Sequence, residues 1–197
     1  MGVQNSAEIA LPRLVVGITG ASGAIYGVRL LQTLKALDVE THLVLTAPAA
    51  ITLQQEVGLD PGAVHAMADH TYAPADLAAP IASGSFTTAG MVVAPCSIKT
   101  LSAIANSYSN NLLVRAADVT LKEGRPLVLV VRETPLHLGH LRLMVQAAEI
   151  GAVIFPPVPA FYAQPATIEE LVDHTVGRIL ARLGFDNRLY QPWEGLT

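Results

Sequence analysis

Apolar runs of strand length recur along the chain at residues 14–19, 41–45, 91–94, 127–131 and 152–155, and segments with helical spacing separate them. Strands that face solvent on one side alternate apolar with polar residues; runs rich in Val, Leu and Ile without that alternation suit strands buried on both faces. Alternating β and α segments of this kind build a parallel sheet with helices on each side. The expected class is therefore α/β, a three-layer, flavodoxin-like or Rossmann-like sheet. Right-handed crossovers bring the C-terminal ends of its strands to one edge, where ligands bind.

The helical segments fall at residues 23–37, 47–57, 100–106, 112–123, 138–150 and 167–183. Thr167-Ile168-Glu169-Glu170 is a capping box and marks the last start. Residues 58–90 are rich in Ala, Pro and His and show little periodicity. A length of 197 residues without repeat or linker suits one domain over residues 13–197, preceded by a flexible leader, residues 1–12.

Hydrophobic residues make up 51% of the chain against 14% charged, more apolar surface than one such domain ordinarily buries, so part of it is expected between subunits of a homo-oligomer. No apolar run reaches the roughly 20 residues of a membrane span. The candidate at 151–162 is broken by Pro156, Pro157 and Pro159. A net charge of -4 with 12 scattered bases leaves no concentrated basic face for nucleic acid. The single cysteine, Cys96, excludes an internal disulfide and a multi-thiolate metal site and fits a reducing cytoplasm. His65, His70, His137 and His140 lack ligand spacing, so no metal is expected.

The first apolar run breaks into Gly20-Ala21-Ser22-Gly23 and then a helix, the entry of a ligand-binding α/β fold. It is not a dinucleotide fingerprint: the glycine spacing is wrong, and the second strand ends at Thr46 where a ribose-binding acid belongs. No Walker lysine follows, and the second glycine comes one residue too early for a nucleophile elbow. Ser22 thus reads as a hydrogen-bonding group or a helix N-cap. Thr46, the turn Pro95-Cys96-Ser97-Ile98-Lys99-Thr100 and the pair Arg132-Glu133 follow other strands. Small hydroxyls, backbone donors and an arginine on one edge suit a phosphorylated ligand with a flat ring.

The stretch from Met91 to Asn106, followed by Asn110 to Glu123, resembles the UbiX-type flavin prenyltransferases, as do Thr19-Gly-Ala-Ser-Gly-Ala24, Ser83-Gly-Ser85, Arg132-Glu133, Phe161-Tyr-Ala-Gln-Pro165 and Gly177-Arg-Ile-Leu180, all in register. Val131, where the family often has proline, and Ser107-Tyr108-Ser109, where it has a more glycine-containing stretch, depart from the pattern. The resemblance implies transfer of a dimethylallyl group from dimethylallyl phosphate to N5 and C6 of reduced FMN, giving the prenylated flavin used by UbiD-type decarboxylases. It also implies a homo-oligomer, a dodecamer, with sites at subunit interfaces. Gly20, Ala21 and Ser22 would contact the flavin ring; Thr46, Ser97, Ile98, Lys99 and Thr100 would hold its phosphate, with Arg115 and Arg132 as further FMN contacts. Lys122, Arg132, Glu133, Tyr162 and Arg178 would meet the prenyl phosphate, and Glu56 would relay protons, with Ser22, Lys122 and Glu133 beside it in catalysis.

On local pattern alone Lys122 and Glu56 are solvated helix-end charges, and Arg178 is either a surface partner for Glu170 or Asp173 or free in solvent. Only the resemblance gives them chemistry. Cys96 reads as a small buried residue in a tight turn. Two other functions share parts of the pattern. An FMN-dependent cysteine decarboxylase has the Pro-x-Ser turn and the Asn-Leu-Leu helix entry but needs an early catalytic histidine, whereas His42 lies in a strand pattern and the helix after Ala47 has none. A non-catalytic FMN-binding subunit would bind flavin without turnover.

Overall fold

Two-residue periodicity, apolar on both phases, shapes the sheet. In the computed structural model, which describes residues 11–193 and Gly195, Leu14, Val16 and Ile18 of β1 (Arg13–Ile18) enter one core layer while Val15 enters the other. The same split separates Leu43 and Leu45 from Val44 in β2 (Glu40–Leu45), Val92 and Ala94 from Met91 and Val93 in β4 (Gly90–Cys96), and Val128 and Val130 from Leu127 and Leu129 in β5 (Leu127–Val131). Each such side chain contributes about 2 kcal/mol by leaving water, so both faces need helices.

The first layer is closed by α1 (Ala24–Ala36) and α7 (Ile168–Arg182), through Leu30, Leu31, Leu34, Val176, Ile179 and Leu180. The second is closed by α4 (Ile98–Ala105), α5 (Leu112–Lys122) and α6 (Leu138–Glu149). With β3 (His70–Tyr72) and β6 (Val153–Ile154), the six parallel strands run in the order β3-β2-β1-β4-β5-β6. This is the expected three-layer, flavodoxin-like architecture. The order reverses between β1 and β4, the switch point where such folds bind ligands.

Residues 58–90 hold three elements absent from the sequence reading, α3 (Pro61–His65), β3 and a 3-10 turn at Pro80–Ala82. Asp60 caps α3 by accepting from the Ala63 amide, and Pro61 takes its first position. β3 is a three-residue edge strand, His-Thr-Tyr, with no apolar run to betray it. α2 (Ala47–Glu56) falls where its pattern put it, whereas α4 begins two residues early, at Ile98, because Ser97 is its N-cap and accepts from the Thr100 amide. In the capping box before α7, Thr167 accepts from the Glu170 amide, and Glu170 reaches back to the Ala166 amide. Most of the expected leader lies outside the described residues; the Pro12 carbonyl accepts from the Glu40 amide at the sheet edge.

α6 is the least covered helix. Only Ala147 is fully buried, while Leu138, Leu141 and Val145 are exposed. Among the described residues no helix is long and apolar enough to cross a membrane.

Candidate functional site

The loops after β1, β2 and β4 are tied together at the C-terminal edge by strand-end hydroxyls. Thr19, 1% exposed, donates its hydroxyl proton to the Pro95 carbonyl at 2.7 Å, and its oxygen accepts from the Ser97 amide at 2.9 Å. Thr46 bonds the Ile18 carbonyl through both its amide and its hydroxyl. These bonds fix Gly20-Ala21-Ser22, Thr46 and Ser97 side by side. Thr19 was not singled out from sequence, although a hydroxyl at the end of an apolar strand is its signal.

The turn after β1 is held by a residue from another helix. Glu56, the last residue of α2, accepts from the Gly23 amide at 2.7 Å and the Ala24 amide at 3.0 Å, capping α1, with the Ser22 hydroxyl beside it. Ser22 is therefore not the cap: Gly23 is the N-cap residue, at φ 99, a left-handed conformation that favours glycine. Partial burial raises the Glu56 pKa. The Ser22 hydroxyl, the two amides and the Arg132 charge outweigh it and hold the carboxyl below its usual range. Glu56 therefore stands ionised beside Ser22.

Gly20 has a packing reason to be small. A Cβ there would lie 2.4 Å from the Pro48 side chain, so close approach to α2 already requires glycine at this position.

Ser97 donates to the Thr100 hydroxyl, and the Ile98 and Lys99 amides start the helix. Thr100 is buried and Lys99 exposed; both line a cleft of about 400 Å³ between α4 and α5 with Asn106, Asn110 and Asn111. Arg115 is committed elsewhere. Its guanidinium donates to the Ala82 carbonyl and to Asp118, tying α5 to the 3-10 turn Pro80–Ala82.

A second group of cations adjoins the turn. The Arg132 amide bonds the Cys96 carbonyl, its side chain is exposed, and its charge reaches both Glu56 and Tyr26. Beside Tyr26 is Thr175, which lines a cleft of about 280 Å³ with Tyr162, His174 and Arg178. Arg178 has no carboxylate partner among the described residues: Asp173 pairs with Arg29, Glu170 is used in the cap, and Arg178 lies over the Tyr190 ring at 5.7 Å. The Tyr162 hydroxyl is 3.2 Å from His174, whose pKa is lowered by burial first and then by Arg178. Glu133 accepts from the Thr134 amide.

Lys122 is not brought to this edge. It ends α5, pairs with Glu123 and lies over Gly84, at the end of the sheet where β5 begins. A strand of six residues puts about 20 Å between the two edges. Within one chain Lys122 and Glu56 are thus at opposite ends of the sheet.

Cys96 is fully buried and its pKa is pushed up to about 12 by that burial, against one favourable amide contact. It is an inert thiol.

The sequence matches the Flavoprotein family over residues 3–180. It is 58% identical over 188 residues to the flavin prenyltransferase UbiX of Escherichia coli K12, covering 94% of this chain and 100% of that one. A solved structure of AnUbiX (PadA1) in complex with FMN and dimethylallyl pyrophosphate superposes with a TM-score of 0.93 at 48% identity, covering 95% of this chain and all of that one. The dodecameric FMN-dependent UbiX-like decarboxylase from Escherichia coli O157:H7 superposes with a TM-score of 0.90, also at 48% identity, over 93% of this chain and all of that one. Identity at this level, in register from end to end of the relatives, establishes that the chain belongs to the flavin prenyltransferases of the UbiX family.

Proposed function

We propose that the protein transfers a dimethylallyl group from dimethylallyl phosphate to N5 and C6 of reduced FMN, in a homo-oligomer whose active sites are shared between copies, and that its product serves UbiD-type decarboxylases. The observation that carries the reading is the convergence, at one edge of the sheet, of a small-residue turn, a hydroxyl-rich helix start, an ionised carboxylate and unpaired arginines.

The edge fits FMN. Ser97 and Thr100 offer hydroxyls, the first turn of α4 offers amides, and Lys99 adds a charge, a donor set suited to a phosphate. Gly20, Ala21 and Ser22 form the wall for a flat ring, and Thr46, at the end of β2, stands on the far side of that wall from the donors of β4. Bound there, reduced FMN supplies the nucleophilic N5 and C6.

The chain's own groups handle the leaving phosphate and the protons. The carbon–N5 bond forms as the allylic C–O bond breaks; the electron pair of the C–O bond stays on the phosphate, which takes up the proton released from N5, and cations in a site shielded from water stabilise the departing charge. Arg132, Arg178 and the Tyr162 hydroxyl supply donors from one copy, and Lys122 supplies its ammonium from a second. Glu133 orients the Arg132 loop through its bond to the Thr134 amide. Closing the ring at C6 adds one proton to the alkene and removes one from the ring carbon. Glu56, ionised and beside Ser22, takes a proton and returns one, ending unchanged.

Anaerobic assays of inorganic phosphate test this reading. Phosphate should appear only when reduced FMN and dimethylallyl phosphate are both present, and Arg178→Ala should raise KM for the prenyl phosphate about tenfold or more. Release that ignores reduced FMN, or no release by folded protein, would contradict it.

A further inference from the structure

At the other edge of the sheet, Glu40 and His42 stand two residues apart on β2 and so share one face, and His70 of β3 is the direct cross-strand partner of His42. The carboxylate oxygen Oε1 of Glu40 is 3.0 Å from Nε2 of His42 and 3.3 Å from Nε2 of His70, and the three atoms lie within 4.8 Å of one another. We propose that Glu40, His42 and His70 form a binding site for one divalent transition-metal cation of the zinc class. Ligands at bond lengths near 2.1 Å in a tetrahedral shell stand about 3.4 Å apart, close to the two short separations here.

The surroundings are those of a supported ligand set. His42 is 2% exposed, and its second ring nitrogen, Nδ1, lies 2.9 Å from the Tyr72 hydroxyl. That hydroxyl both donates and accepts, so it serves His42 with Nε2 protonated toward Glu40 and equally with Nδ1 protonated and Nε2 free for a metal. The other Glu40 oxygen accepts from Arg13 at 3.0 Å, which fixes the carboxylate, and Phe86 closes the site edge-on to His42. The charges facing the cluster are Arg13 on β1 and Asp69 beside His70. His42 and His70 stack nearly parallel at 4.7 Å, which leaves their lone pairs in separate planes; the His70 side chain, 51% exposed on an edge strand, has room to turn and bring its Nε2 onto the same ion. Two imidazoles, one carboxylate and a fourth position open to water suit zinc or cobalt(II) rather than magnesium or calcium.

The test uses full-length, chelator-stripped protein titrated with Zn²⁺ by calorimetry and with Co²⁺ by visible absorption. One equivalent per chain should bind, with tetrahedral cobalt bands, and the affinity should fall by about tenfold or more in Glu40→Gln and in His70→Ala, whose exposed position spares the core. His137→Ala, at a separate histidine pair, should bind as the wild type does. No binding, or binding that His70→Ala leaves intact, would overturn the site.

Discussion

Glu56 joins two tasks in one carboxylate. It caps α1 through the Gly23 and Ala24 amides, and it stands beside Ser22 in the turn assigned to the flavin. Glu56→Gln should keep FMN binding but slow prenyl transfer or ring closure by about two orders of magnitude. The same variant should lower stability at neutral pH by about 1 kcal/mol or less, the usual worth of an exposed cap. The sign with pH follows from the depressed pKa. The wild-type carboxylate contributes stability above the unfolded value near 4.5 and loses it as pH falls through the lower folded value, so thermal melts of the two proteins should converge in acid. A stability gap that is the same at every pH would remove the carboxylate as its cause. Cys96, buried and held as a thiol, should resist thiol reagents until the protein unfolds; labelling of native protein at the rate of an exposed thiol would contradict its placement. Of these roles, the burial of Cys96 was legible in its strand-to-helix turn. The cap was not, because no local pattern links Glu56 to residues 23 and 24.

At the scale of elements, legibility followed hydrophobic period. β1, β2, β4 and β5 announce themselves because both phases of each strand are apolar, and their ends shift by only a residue or two. β3 was illegible because an edge strand of three residues needs no apolar run, and with it went the pairing of His42 with His70. Ser107 is a finer case. It adopts φ 52 just after α4, the left-handed conformation that a glycine in this stretch would take without strain. Ser107→Gly should therefore stabilise the fold by about 0.5–1 kcal/mol, measurable in urea melts; a loss of stability would mean that the serine side chain makes up for its strain. α6 carries the remaining discrepancy between composition and single-chain burial. Its helical period is clear, yet Leu138, Leu141 and Val145 face outward.

For the whole molecule, those leucines and the separated site residues point the same way. The apolar face of α6 suits burial against a second copy, and Lys122 reaches an edge carrying Glu56 only if another copy supplies it. Leu141→Lys with Val145→Lys should reduce the oligomer to smaller species in sedimentation, whereas an unchanged mass would place the interface elsewhere. Sharing of the site has its own signature. Lys122→Ala and Glu56→Gln chains should each be nearly inactive alone, and mixing them with subunit exchange should restore part of the activity, because some sites then combine an intact Glu56 with an intact Lys122. No recovery in demonstrated mixed oligomers would contradict sharing. The central claim, that this edge of the sheet prenylates a flavin, is tested most directly by mass analysis of the flavin after anaerobic incubation of the protein with reduced FMN and dimethylallyl phosphate. The account predicts an FMN heavier by one isoprene unit, and an unchanged flavin mass with folded, FMN-bound protein would contradict it.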